Sequence, residues 1–214
     1  MLTSLLMENE RAYRQEIVEI CRLLYEKNLM SSTDGNVSVR VDKDHLLITP
    51  SGVHKGFLKP EELILTDMKG ERVSGTGRPS QEILMHLCSY QERPEIRAVL
   101  HAHPVHCIAM TLAGMDLRGN YLPEVILSVG EIPVIPYTTP TTEEVPRMIR
   151  EYVRKYDAMI LDRHGALTIG KNLMEAFCKM ERLEHVAQTV VIAKQLGNLK
   201  PLTAEELQKL KQMR

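Results

Sequence analysis

Apolar residues Ile17, Ile20, Leu23 and Leu24 recur at three- and four-residue intervals within residues 9–30, and this spacing predicts a long amphipathic helix. Asp34-Gly35-Asn36 breaks the pattern. Val37-Ser38-Val39-Arg40-Val41 then alternates apolar and polar positions, as a half-buried strand does. Two further short strands follow at 46–49 and 63–66, closed by Pro50-Ser51-Gly52 and by a Lys69-Gly70 turn. Pro79-Ser80 predicts a helix start, with Ser80 as N-cap, Glu82 in the first turn and the end before Pro94. Residues 98–103 read as a strand running into Pro104, the first position of a helix that Gly114 closes. The segment 132–136 is apolar but holds two prolines, which suits an edge or irregular strand. After a helix over 142–155, the apolar runs 158–161 and 166–169 flank a turn at Arg163-His164-Gly165 and predict a hairpin. Helices over 172–196 and from Thr203 end the pattern.

Strands with helices interspersed, but without regular strand–helix alternation, predict an α/β fold of the α+β-like kind: a mixed, largely antiparallel sheet covered by helices. No internal repeat or low-complexity linker divides the chain, so residues 1–214 are expected to form a single domain. With 43% hydrophobic and 26% charged residues the chain is far from a disordered composition. A chain of this length buries roughly 70–75% of its extended surface. The 27 Lys and Arg balance 28 Asp and Glu, which removes the field a nucleic-acid binder needs and leaves room for a small anion held locally. No run approaches the roughly 18 apolar residues of a membrane span, and Glu8 interrupts the N-terminus too early for a signal peptide. Cys21, Cys88, Cys107 and Cys178 form no Cys-x-x-Cys pair and read as reduced thiols, so a cytoplasmic location is expected.

The strongest chemical signal is His101-Ala102-His103. Residues two apart on a strand share a face, so both imidazoles can approach one ion. His164 sits at a tight turn beside Gly165, where the backbone can pass close to a ligand, and three strand-end histidines would make a metal site with an open position. Glu82 is a fourth candidate, although a first-turn Glu is also an ordinary partner of the helix dipole. Ser80, Gly35-Asn36 and Ser51-Gly52 combine small side chains with accessible backbone N–H groups, a combination that suits a phosphate but also any common turn. His86, one turn after Glu82, and His106 read as packing residues or as supports for the ligands. His45, His54 and His185 show no partner. The sequence contains no phosphate-cradling Gly-x-x-x-x-Gly-Lys-Ser/Thr, His-Glu-x-x-His or Gly-x-Ser-x-Gly motif.

In this order, Gly35-Asn36-Val37-Ser38, Ile48-Thr49-Pro50-Ser51-Gly52, Pro79-Ser80-Gln81-Glu82, His101-Ala102-His103-Pro104 and Arg163-His164-Gly165 resemble the motifs of the class II aldolase and adducin family. The resemblance covers nearly the whole chain and implies that family's three-layer architecture. It also implies zinc, or manganese or cobalt in its place, on His101, His103 and His164, with Glu82 as acid/base and as a metal ligand when substrate is absent. The implied phosphate site is Asn36, Ser51, Gly52 and Ser80, with Gly35 shaping the loop. The implied reaction is reversible cleavage of a ketose 1-phosphate to dihydroxyacetone phosphate and an aldehyde through a metal-stabilised enediolate. Alternatives within the fold are a 5-deoxyribulose or methylthioribulose 1-phosphate aldolase or dehydratase and a sugar-phosphate 4-epimerase; outside catalysis, the alternative is an adducin-like interaction module. The resemblance further implies a homotetramer with interfacial active sites, a small sugar-phosphate ligand and no nucleic-acid or membrane partner. The chain departs from the pattern at Gln81, where the family has a second Ser, and it lacks a clear counterpart of the tyrosine acid.

Overall fold

The computed structural model describes residues 2–117 and 120–213. Eight strands form one sheet: β1 (Asn36–Arg40), β2 (His45–Ile48), β3 (Ile64–Asp67), β4 (Arg72–Ser74), β5 (Ala98–Ala102), β6 (Val134–Ile135), β7 (Ala158–Leu161) and β8 (Gly165–Gly170). Their order is β4-β3-β2-β1-β5-β8-β7-β6, and every pairing is antiparallel except β6 with β7. The helices are α1 (Leu2–Glu26), α2 (Ile83–Glu92), α3 (Val105–Leu112), α4 (Pro123–Ser128), α5 (Glu144–Val153), α6 (Leu173–Leu196) and α7 (Ala204–Gln212).

Strand alternation sorts the core into two halves. Val37, Val39, Ala98, Leu100 and Ala102 face a cluster built with α1, α3, α4 and α6. Val99, Leu167, Ile169 and Met159 face α2 and α5 on the opposite side. The result is a three-layer, helix–sheet–helix arrangement, as the resemblance implied. By the same period of two, Asn36, Ser38 and His101 project toward α2, where apolar residues would otherwise be expected.

Two helix boundaries differ from the sequence pattern. Helix α1 ends at Glu26 because Asn28 turns to φ 58° and Leu29 and Met30 both bond back to the Leu24 carbonyl. Ser80 does not cap α2: its N–H bonds the Thr49 carbonyl beside a Pro50–Pro79 bridge, which holds it extended. Glu82 therefore occupies the N-cap position rather than the first turn, and its own side chain makes no cap bond. The fully exposed β4, the six-residue α4 and 3₁₀ turns at Lys55–Phe57 and Pro60–Glu62 carry too little periodicity to be read beforehand. Elsewhere the pattern holds: Asn172 caps α6, and Thr203 caps α7 with Glu206 in a capping box. Among the described residues no helix is long and apolar enough to cross a membrane.

Candidate active site

The register of the central strands assembles the site. Asn36 on β1 pairs with His101 on β5, and Ala102 pairs with Ala166 on β8, so the ends of three strands meet at one point. His103 continues from β5, and its N–H bonds the Leu29 carbonyl. His164 lies in the β7–β8 turn, where the Arg163 N–H bonds Thr111 Oγ1 at 2.9 Å. Gly165 follows, and the turn can form only because it has no side chain: a Cβ there would lie 2.4 Å from the Ala102 carbonyl oxygen and 2.8 Å from the His103 ring.

One ligating atom from each of His101, His103 and His164 lies within 4.8 Å of the others. His101 Nδ1 donates to the Ala166 carbonyl at 3.0 Å, which sets the tautomer and leaves Nε2 as a lone pair aimed at His103 Nε2, 3.0 Å away. Glu82 Oε2 lies 3.3 Å from His101 Nε2, and Oε1 lies 3.2 Å from His164 Nε2 with no hydrogen-bond donor of its own. Lone pairs and a carboxylate aimed at one point repel one another unless a cation sits between them. The donor set therefore fits a divalent metal.

Burial lowers His101 to about 4, an effect that the Glu82 carboxylate opposes, and it lowers His103 to about 4 with help from the neighbouring imidazoles. Both are thus neutral, the form a metal ligand needs. Burial would raise Glu82, but His101, His164 and the Asn36 amide outweigh it and hold the group well below the usual carboxylate range.

Behind Glu82 lies a chain of hydrogen bonds running in one direction. Ser38 Oγ, 2.9 Å from a Tyr90 hydroxyl that also donates to the Arg97 carbonyl at 3.3 Å, donates to His86 Nδ1 (2.6 Å), His86 Nε2 to Asn36 Oδ1 (2.5 Å), and Asn36 Nδ2 to Glu82 Oε2 (2.8 Å). His86 is fully buried, which pulls it down to about 4, so it stays neutral and can accept at one nitrogen while donating at the other. The spacing explains the fit: Glu82, His86 and Tyr90 are four apart on one stripe of α2, while Asn36 and Ser38 are two apart on one face of β1. The Glu82–His86 step of that stripe was noted in the sequence; its continuation to Tyr90, a four-residue polar period inside an apolar helix, was not.

A cleft of about 390 Å³ opens beside the cluster, lined by Gly35, Asn36, Ser51, Gly52 and Ser80 together with Glu82, His103 and His164. Gly52 (φ 72°) has nothing within 4 Å of the place a Cβ would occupy, so its backbone faces open space. Ser80 Oγ accepts from the Glu82 N–H at 3.2 Å. The residues suggested by the sequence for metal, proton transfer and phosphate thus border one cleft, except His101, which is fully buried behind it.

The family model for the class II aldolase and adducin N-terminal domain matches residues 15–191. The chain belongs to the class II aldolase and adducin family. It is 36% identical over 185 residues to L-fuculose phosphate aldolase of Methanococcus maripaludis, covering 86% of this chain and 98% of that protein. It is 32% identical over 210 residues to 3-oxo-tetronate 4-phosphate decarboxylase of Pectobacterium atrosepticum, covering 95% and 94%. The crystal structure of L-fuculose-1-phosphate aldolase from Thermus thermophilus superposes with a TM-score of 0.76 at 32% identity, covering 87% of this chain and 96% of that one.

Not every histidine of this class II aldolase family member joins the cluster. His106 bonds Glu184, whose carboxylate also accepts from the His106 and Cys107 N–H groups and so caps α3. His45 bonds Asp42 on the surface, and His54 stacks on Phe57. Sequence reasoning also passed over Lys55, a buried cation among the cleft-lining residues.

Proposed function

We propose that the protein is a zinc-dependent sugar-phosphate aldolase that reversibly cleaves a ketose 1-phosphate to dihydroxyacetone phosphate and an aldehyde. One observation carries the reading: three imidazoles and a carboxylate aimed at one point lie beside a cleft with small residues suited to a phosphate. His101, His103 and His164 would hold the ion, with Glu82 beside them. When bound, the ion supplies a Lewis acid that polarises the carbonyl next to the breaking carbon–carbon bond. Glu82, kept ionised by its neighbours and aimed by Asn36, holds and returns the proton at the carbon where that bond is made or broken. Asn36, Ser51, Gly52 and Ser80 bind and orient the phosphate, with Gly35 shaping the loop. Exposed Phe57, Val105, Leu112 and Tyr137 support the reading that the chain, acting as one unit in the cytoplasm, assembles as a homotetramer with sites near its interfaces.

The match to a decarboxylase over 95% of the chain favours a second reading, loss of carbon dioxide from a 3-oxo acid phosphate. The same residues would serve, since that bond also lies next to a carbonyl. Zinc-loaded protein should release dihydroxyacetone phosphate from L-fuculose 1-phosphate or 5-deoxyribulose 1-phosphate. Carbon dioxide from 3-oxo-tetronate 4-phosphate, with no dihydroxyacetone phosphate from either ketose, would replace the first reading with the second. Protein that takes up no divalent metal would overturn both and leave an adducin-like module.

A further inference from the structure

Lys55 lines the same cleft and has no part in the chemistry above. Its side chain is 2% exposed, and the ammonium donates to three backbone carbonyls: Thr33 at 2.9 Å, Pro50 at 3.1 Å and Val53 at 2.7 Å. An ammonium has three protons, so it has no donor left for a ligand. Among the described residues no carboxylate lies within 4.0 Å of it. The acidic groups that act on it are the exposed Asp34 and the Cys21 thiol beneath, which burial pushes up to about 12 and keeps neutral. A buried cation held only by carbonyls is costly, and such a cost is offset when an anion arrives nearby. The carbonyls it gathers belong to the two segments that carry Gly35 and Asn36 on one side and Ser51 and Gly52 on the other.

We propose that Lys55 is the buried counter-charge of an oxyanion subsite, pinning segments 33–36 and 50–53 together and drawing a phosphomonoester dianion to the wall above without touching it. The proposal rests on the phosphate reading of that wall and explains how a chain of net charge −1 with no lysine cluster could hold a dianion. Lys55 is on this view a positioning residue whose charge acts at a distance.

Calorimetric titration with inorganic phosphate tests it, on the full chain with zinc bound and after chelation, so that binding at the ion is separated from binding at the wall. Lys55→Met and Lys55→Gln should bind phosphate about tenfold more weakly or worse, with metal content unchanged. Equal affinity in parent and variants would overturn the Lys55 inference while leaving the phosphate wall intact. A parent that binds no phosphate in either state would overturn the phosphate reading and this inference together. A second measurement needs no variant that folds: in ¹³C-lysine-labelled parent protein, saturating phosphate should raise the Lys55 pKa by about one unit, the reciprocal of a tenfold coupling. A lysine that only ties loops together would leave that pKa unmoved, which would also overturn the proposal.

Discussion

Adding one methyl group at Gly165 should dismantle the histidine cluster from behind. The new Cβ of Gly165→Ala would lie 2.4 Å from the Ala102 carbonyl oxygen, 2.8 Å from His103 Cδ2 and 3.0 Å from His101 Cε1. The first contact is about 1 Å shorter than an ordinary non-bonded contact. Nor can Ala102 retreat, because β5 is buried along its length and bonded to β1 and β8 on both sides. The strain is therefore passed to the turn and to the two rings. Overpacking of this kind costs about 1–3 kcal/mol. Ligand positions tolerate about 0.2 Å around a metal, so zinc affinity should fall by about 10–100-fold. Urea unfolding reads the first quantity, and competition with a chromophoric chelator reads the second. Gly52→Ala is the control, since its Cβ meets nothing within 4 Å and the penalty is only the φ of 72°, about 1–2 kcal/mol, with metal affinity unchanged. A Gly165→Ala protein with parental stability and zinc affinity would refute the account of how the turn holds His164 against β5.

Other expectations concern the groups around that cluster. Glu82→Gln should retain metal, because three imidazoles remain, yet lose most activity, about 10²–10⁴-fold; near-normal turnover would remove the proton-transfer role. His86→Phe keeps an apolar ring of similar bulk but strands Ser38 and the Asn36 carbonyl, and denaturant titration should show a loss of about 2–4 kcal/mol; a loss below about 1 kcal/mol would mean that the hydrogen-bond chain is slack. Acidification gives a third test. The folded pKa of His86, His101 and His103 is lowered from 6.5 to about 4, so between these values the unfolded chain binds more protons. Metal-free protein should hold its stability above pH 6.5 and lose it steadily toward pH 4, with His86 alone contributing about 3 kcal/mol; a flat urea midpoint over that window would contradict the neutral buried state.

Much of this molecule was written locally. The period-two strands, the hairpin at Arg163-His164-Gly165 and the helices beginning after Asn172 and Thr203 follow from neighbours a few residues apart, which is why they could be read from the chain alone. His101-Ala102-His103 was legible for the same reason, since strand geometry puts both rings on one side. Local rules failed where a distant partner overrode them. Ser80 has every local property of an N-cap, but the bridge to Pro50 and the bond to Thr49 keep it extended and move the helix start to Ile83. Lys55 looks like any surface lysine until two loops fold their carbonyls around it. Its role, and that of His86, depends on groups 22 and 50 residues away in the chain. Composition and periodicity describe what a segment can bury, and they determined the layers and the strand-end histidines. Which polar groups then meet inside those layers depends on strand register and loop closure, and only the tertiary structure settled that.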